Sequence, residues 1–187
     1  MTRYKAIVMG VSAGGLSTLS RIFSQLKKEL AVPIAVVQHL HPTQNMGYIN
    51  VLNNQSTLPV FELYDKQVYS SGNIYFAPPD YHALFEGNGE FSLSIDEKVN
   101  YCRPSVDVLF ESAARVFGRE VIGILLTGAN ADGAKGLQLI QEVGGGTIVE
   151  DPATAEHPFM PKSALKLIQP DYVLNAEKIA KKLNEMC

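Results

Sequence analysis

The segment Gly10-Val11-Ser12-Ala13-Gly14-Gly15 follows the apolar run Ala6-Ile7-Val8-Met9 and leads into a helical pattern. A G-x-S-x-G turn in that position carries a serine from a strand end into a tight bend, where small neighbours leave its hydroxyl uncrowded. The helix that follows directs its first free N–H groups toward an oxygen under attack by that serine. Ser12 is therefore a candidate nucleophile, and it needs a base and a group to orient the base. His39 closes the run Val36-Val37-Gln38-His39, and Asp132 lies in Thr127-Gly128-Ala129-Asn130-Ala131-Asp132-Gly133 after another apolar run. Singly, each has a plainer use as a tight bend, a strand-end histidine or a helix cap. In an open parallel sheet all strand carboxyl ends face one ligand-binding edge, so together the three form the inventory of a serine hydrolase.

That edge requires a particular fold. Buried strands are expected over residues 4–9, 34–39, 121–127, 147–150 and 172–174. Between the first two, Leu16, Leu19, Ile22, Phe23 and Leu26 share one face at helical spacing, which predicts a helix over 16–30. Further helices are expected over 45–54, 105–117, 134–143, 161–168 and 176–186. Ser105 suits an N-cap, Asp107 the first turn, Gly118 the stop, and Pro161 a permitted first-turn position. The alternation argues for an α/β fold, a doubly wound and mainly parallel sheet with helices on both faces. The interval 60–101 differs: short strand-like pieces at 60–63, 73–77 and 91–95 are read as an antiparallel extension of that sheet. No repeat or linker divides the 187 residues, so a single domain is expected over 1–187.

Composition excludes several function classes. Apolar content of 46%, charged content of 19% and a net charge of −3 give no basic field for nucleic acid or anionic lipid. No apolar run approaches the roughly 20 residues that span a bilayer, and the amino terminus lacks a signal-peptide stretch. Cys102 and Cys187 are too few for a disulfide framework, which makes a cytoplasmic setting the simplest expectation. A dinucleotide fingerprint needs glycine where Ser12 stands, and a P-loop needs Gly-Lys-Ser/Thr where Gly15-Leu16-Ser17 stands. His39, His41, His82 and His157 show no H-x-x-x-H pattern, although His39 and His41 can share a strand face. The order Ser12, His39, Asp132 also differs from the Ser–Asp–His order of the common α/β-hydrolases.

With these residues in place the chain resembles the catalytic domain of the CheB-type chemotaxis methylesterases, over nearly its whole length. The serine turn, Gln38-His39, the 127–133 segment, Arg103-Pro104-Ser105-Val106-Asp107 and Phe159-Met160-Pro161 match family stretches in order and spacing. The resemblance implies hydrolysis of glutamyl γ-methyl esters on chemoreceptors, releasing methanol, and deamidation of particular glutamines through the same acyl-enzyme. It implies no metal or organic cofactor. The implied partner is a methylated chemoreceptor or receptor-like signalling protein, with no nucleic acid and no membrane insertion. The family usually carries an N-terminal receiver domain, whereas the first strand here begins about four residues from Met1. Phosphorylation control is thus expected from a separate receiver-domain protein or not at all. Ala129-Asn130-Ala131 stands where the family commonly has Met-Gly-Asn.

The expected mechanism has Ser12 attack while His39 accepts its proton and Asp132 holds the imidazole. Ala13 is the first oxyanion donor, and Ala129 in the 128–131 turn the second. Arg103 and Met160 are candidate substrate-binding residues, with a loop anchor and core packing as their plainer uses. Two other readings stand beside this one. One is an esterase or amidase of the same mechanism with another substrate; the other is a non-catalytic binding module of a signalling array.

Overall fold

A computed structural model describes residues 4–39 and 47–187. Its strands are β1 (Ala6–Val11), β2 (Ile34–Gln38), β3 (Val60–Glu62), β4 (Ile74–Phe76), β5 (His82–Phe85), β6 (Phe91–Ser94), β7 (Val121–Leu125), β8 (Gly146–Glu150) and β9 (Tyr172–Leu174). Its helices are α1 (Gly15–Phe23), α2 (Tyr48–Gln55), α3 (Val106–Phe117), α4 (Ala134–Glu142), α5 (Phe159–Leu167) and α6 (Ala176–Met186). Seven strands form one sheet in the order β3-β4-β2-β1-β7-β8-β9, and every pairing within it is parallel.

The apolar runs have their physical reason in β1, where every residue is buried. Its side chains alternate between two layers. Ile7, Met9 and Val11 pack with Leu19, Ile22 and Phe23 of α1 and with Ile179 and Leu183 of α6. Ala6 and Val8 face Leu109 and Phe110 of α3, Leu137 and Ile140 of α4, and Met160 of α5. From β1 the chain winds outward through α1 to β2 and β4. It returns to β7 on the other side of β1, then winds the opposite way through α4 and α5. The reversal at β1 and β7 opens a crevice at their carboxyl ends, the place where such sheets bind ligands.

Two expectations about the elements are corrected. Residues 60–62 and 74–76 are parallel strands of the main sheet, not antiparallel additions. The antiparallel part is a separate hairpin, β5 with β6, whose first strand the turn-rich sequence around Pro78-Pro79-Asp80 concealed. Helix α1 stops at Phe23 rather than near residue 30. Tertiary partners take the groups that would extend it: Thr57 Oγ1 donates to Leu26 O at 2.6 Å, and Lys27 N–H donates to Asn184 Oδ1 at 2.8 Å. Leu26 and Leu30 remain buried without being helical. Helix α2 begins at Tyr48, and His41 and the first residues of the expected 45–54 helix lie outside the described residues.

The crevice depends on a close approach at Gly10. A Cβ there would run into Val106 Cγ1 and lie 2.9 Å from Val106 Cγ2 and 3.0 Å from Leu125 Cδ1. Gly10→Ala is expected to cost about 1–3 kcal/mol, as overpacking does. Urea unfolding checks this: a lower midpoint at unchanged slope agrees, and an unmoved midpoint contradicts the packing.

Candidate active site

Asp132 is fully buried, and its carboxylate starts a helix that is not its own. The backbone N–H groups of Val106 and Asp107, in the first turn of α3, donate to it at 2.6 and 3.3 Å. Ser105, expected to cap α3 with its own hydroxyl, instead donates that hydroxyl to Asp132 Oδ1 at 2.8 Å. The exchange is reciprocal. Asp107 of α3 accepts the Gly136 N–H, in the first turn of α4, at 2.7 Å. Asn100 Nδ2 donates to both acids, at 2.8 Å to Asp107 and 3.1 Å to Asp132. Each carboxylate thus meets the positive end of the other's helix, where negative charge is favoured.

On its outer side Asp132 holds His39, whose Nε2 lies 2.8 Å from Oδ2. Burial works against the Asp132 charge. The His39 contact, the Val106 N–H and Asn100 outweigh it, and the carboxyl stays below its ordinary value. For His39 burial also disfavours charge, but Asp132 and the neighbouring Cys102 push the imidazole up to about 9. The second ring nitrogen has a different neighbour: Asn130 Nδ2 lies 3.0 Å from Nδ1.

Ser12 reaches the same edge through strand register. Val11 of β1 pairs with Gln38 of β2, and the His39 N–H donates to Val11 O at 3.1 Å, so the next residues on the two strands are neighbours. Gln38 Nε2 donates to both Ser12 O and His39 O, at 2.9 and 3.1 Å. Just beyond β7, Thr127 O accepts the Ser12 N–H at 3.0 Å, and Thr127 Oγ1 donates to Ala13 O at 2.9 Å. Buried Glu150 at the end of β8 accepts the Thr127 N–H at 2.7 Å, so three strands hang the serine turn in place. Gly14 turns the chain in the left-handed conformation at φ 77°. Ser12, Ala13, Gly14, Gln38, His39 and Glu156 line one cleft of about 520 Å³. Among the described residues the Ser12 hydroxyl and the Ala13 N–H have no hydrogen-bond partner within the protein. A larger depression of about 750 Å³, beside Lys5, Pro33 and Ser71, lies at the opposite ends of the strands, away from Ser12 and His39.

The remaining expected residues fall elsewhere. Arg103 is a loop anchor: its guanidinium donates to Asp80 at 2.8 and 3.1 Å and to the carbonyls of Ile95 and Asp96. Met160 is fully buried beneath the site, against Gly128, where a Cβ would strike its sulfur. Neither lines the Ser12 cleft. Ala129 borders a separate depression with His157, Pro158 and Lys162. The sequence reading gave no part in the site to Asn100, Asn130, Gln38, Glu150 or Glu156. It took Cys102 for a free structural thiol with no histidine near it, whereas Cys102 lies beside His39. Only Asn130 had a local signal, an Asx residue two positions before Asp132. His39, Cys102 and Asp132 present ligand-type atoms within 4.8 Å of one another, a set that fits a thiophilic cation in chemistry. Any such ion would occupy the imidazole and the acid together.

Comparison with known proteins places the chain in a family. The CheB methylesterase family model matches residues 7–183, and the chain belongs to that family. A Leptospira interrogans protein provisionally named protein-glutamate methylesterase/protein-glutamine glutaminase is 46% identical over 177 residues, covering 95% of this chain and 92% of that one. A Thermotoga maritima protein named protein-glutamate methylesterase/protein-glutamine glutaminase is 38% identical over 185 residues, covering 97% of this chain but 54% of that one. The crystal structure of the Thermotoga maritima CheB methylesterase catalytic domain superposes with a TM-score of 0.94 at 37% identity, covering 98% of this chain and 99% of that one.

The His39–Asp132 pair has a thermodynamic signature. The folded protein holds the imidazole proton more tightly than the unfolded chain does. Its stabilisation is therefore complete below pH 6.5 and is lost as the pH rises toward about 9. The gap in melting temperature between the native protein and His39→Ala is expected to narrow across that window. A gap that stays constant contradicts the pairing.

Proposed function

We propose that this CheB methylesterase-family chain hydrolyses glutamyl γ-methyl esters of a chemoreceptor, with Ser12 as nucleophile, His39 as base and Asp132 as the acid that orients it. The observation that carries the reading is His39: it is held at 2.8 Å by a buried carboxylate and shares one cleft with a serine whose hydroxyl is unengaged. With Nε2–H donated to Asp132, the lone pair left for the serine proton is on Nδ1. Ser12 Oγ attacks the ester carbonyl as its proton passes to Nδ1. The carbonyl oxygen, now negative, is met by the Ala13 N–H and the positive end of α1. Ala129 faces another depression, and we give it no part. Collapse breaks the C–O bond, and the Nδ1 proton leaves with methanol. A water then repeats the sequence on the glutamyl-enzyme, returning the serine and releasing a glutamate. The names of the relatives favour a second leaving group as well: with a glutamine side chain the same steps release ammonia.

A methyl group supplies little binding energy, so recognition rests on the protein that carries it. With Arg103 spent on Asp80, that recognition falls to other surfaces around the cleft. No described helix is long and apolar enough to cross a membrane. We place the chain in the cytoplasm, where receptor methylation sites are reached and where a separate phosphorylated receiver-domain protein can act on it.

Methanol release from methylated receptor is expected to fall by roughly 10⁴-fold or more in Ser12→Ala, the scale of nucleophile loss in serine hydrolases. Equal rates for native protein and variant would falsify the assignment. The reaction needs neutral His39, so kcat/KM is expected to rise with pH, with its acid limb above the ordinary imidazole value of 6.5. An acid limb below 6.5 contradicts the role given to Asp132.

A further inference from the structure

We propose that Asn130 is a positioning residue that favours the neutral form of His39, with the proton on Nε2 and the lone pair on Nδ1 turned to the cleft it shares with Ser12. The inference rests on the reading of Ser12 and His39 above, and it follows from two hydrogen bonds made by one amide. Asn130 Oδ1 accepts the Asp132 N–H at 3.0 Å, which settles which end of the amide is which. Its NH₂ group is then turned toward His39 Nδ1, 3.0 Å away. An amide nitrogen only donates, and the carboxylate on the other ring nitrogen only accepts. Both contacts are satisfied by a single state, the neutral ring with hydrogen on Nε2. A proton on Nδ1 would set N–H against NH₂, and flipping the amide would set NH₂ against the Asp132 N–H. Protonation therefore breaks a hydrogen bond in either arrangement.

Asn130 thus opposes the carboxylate it sits beside. Asp132 favours the imidazolium, and Asn130 favours the imidazole, since a hydrogen bond to the neutral form disfavours the charged one. The other titratable groups facing His39 are known. Cys102, from the loop before α3, lies beside the ring, where it favours the imidazolium as Asp132 does, and its sulfur accepts from the Asn130 amide at 3.7 Å. Asp107 is joined to Asp132 through Asn100, and Glu156 stands on the shared cleft. None of them offers Nδ1 an anchored donor; only Asn130 does, among the described residues. The same geometry makes Asn130 a placeholder. It occupies the lone pair that the Ser12 hydroxyl must reach, and it yields that position as substrate binds.

The test follows the ring itself, by ¹⁵N NMR of the His39 imidazole in the full chain, so its outcome does not depend on activity. The native protein is expected to show the Nε2–H tautomer above the titration midpoint. Asn130→Ala is expected to raise that midpoint by about 0.5–1 pH unit, the worth of one ordinary hydrogen bond. Asn130→Asp keeps an acceptor for the Asp132 N–H but removes the donor, and it should raise the midpoint further. The acid limb of kcat/KM for methanol release should move upward with the midpoint, a change that a purely structural role would not produce. A midpoint that stays put or falls in Asn130→Ala overturns the proposal, as does an Nδ1–H tautomer in the native protein. If Ser12→Ala left methanol release intact, the catalytic reading would fail while the NMR titration still decided the role of Asn130.

Discussion

The site hangs on an exchange of carboxylates between two helices. Asp132 precedes α4 but satisfies the first turn of α3, and Asp107 belongs to α3 but satisfies the first turn of α4. Two buried acids close together repel each other, and burial raises Asp107 above its ordinary value. Asn100 between them and the backbone N–H groups around them offset that cost. Asp132 alone has a free side, and His39 occupies it. The residue that joins α3 and α4 is also the one that holds the imidazole, so on our reading a catalytic geometry comes from a packing solution.

That economy produces a conflict between holding and reacting. On our reading, the charge that stabilises a protonated His39 also leaves less of the neutral ring to act as a base at neutral pH, and Asp132 pushes in that direction. Stability from the pair is greatest where the ring is charged, while chemistry requires it neutral. On our reading Asn130 sits at the balance point, and the cleft reacts only where its amide gives way.

Much of the arrangement was legible in the sequence, and the residues show why. Ser12 and His39 stand at the ends of apolar runs and Asp132 in the turn that follows one, and the parallel sheet takes run ends to one edge. Periodicity found α3, α4 and α6 to within a residue or two because their apolar faces are continuous. It overshot α1, since Leu26 and Leu30 are buried by a loop whose backbone is bonded to Thr57 and Asn184. Ser105 looked like a cap, and only the fold shows that a carboxylate 27 residues away does that work. For Arg103 the sequence offers both a substrate contact and a loop anchor, because Asp80, its partner, lies across a turn that no local pattern connects to it. Asn130 and Gln38 act through long-range contacts to groups that composition and spacing do not bring together.

The most direct measurement is the rate at which a fluorophosphonate labels Ser12, followed by mass spectrometry of the intact protein and its peptides. If one buried carboxylate arms the imidazole, the adduct should form on Ser12 in the native protein. It should form about 10³–10⁴ times more slowly in a folded Asp132→Asn variant, with His39→Ala comparably slow. Labelling of Ser12 at the native rate in both folded variants would show that the serine acts without the acid and the ring, and the account built on Asp132 would be wrong.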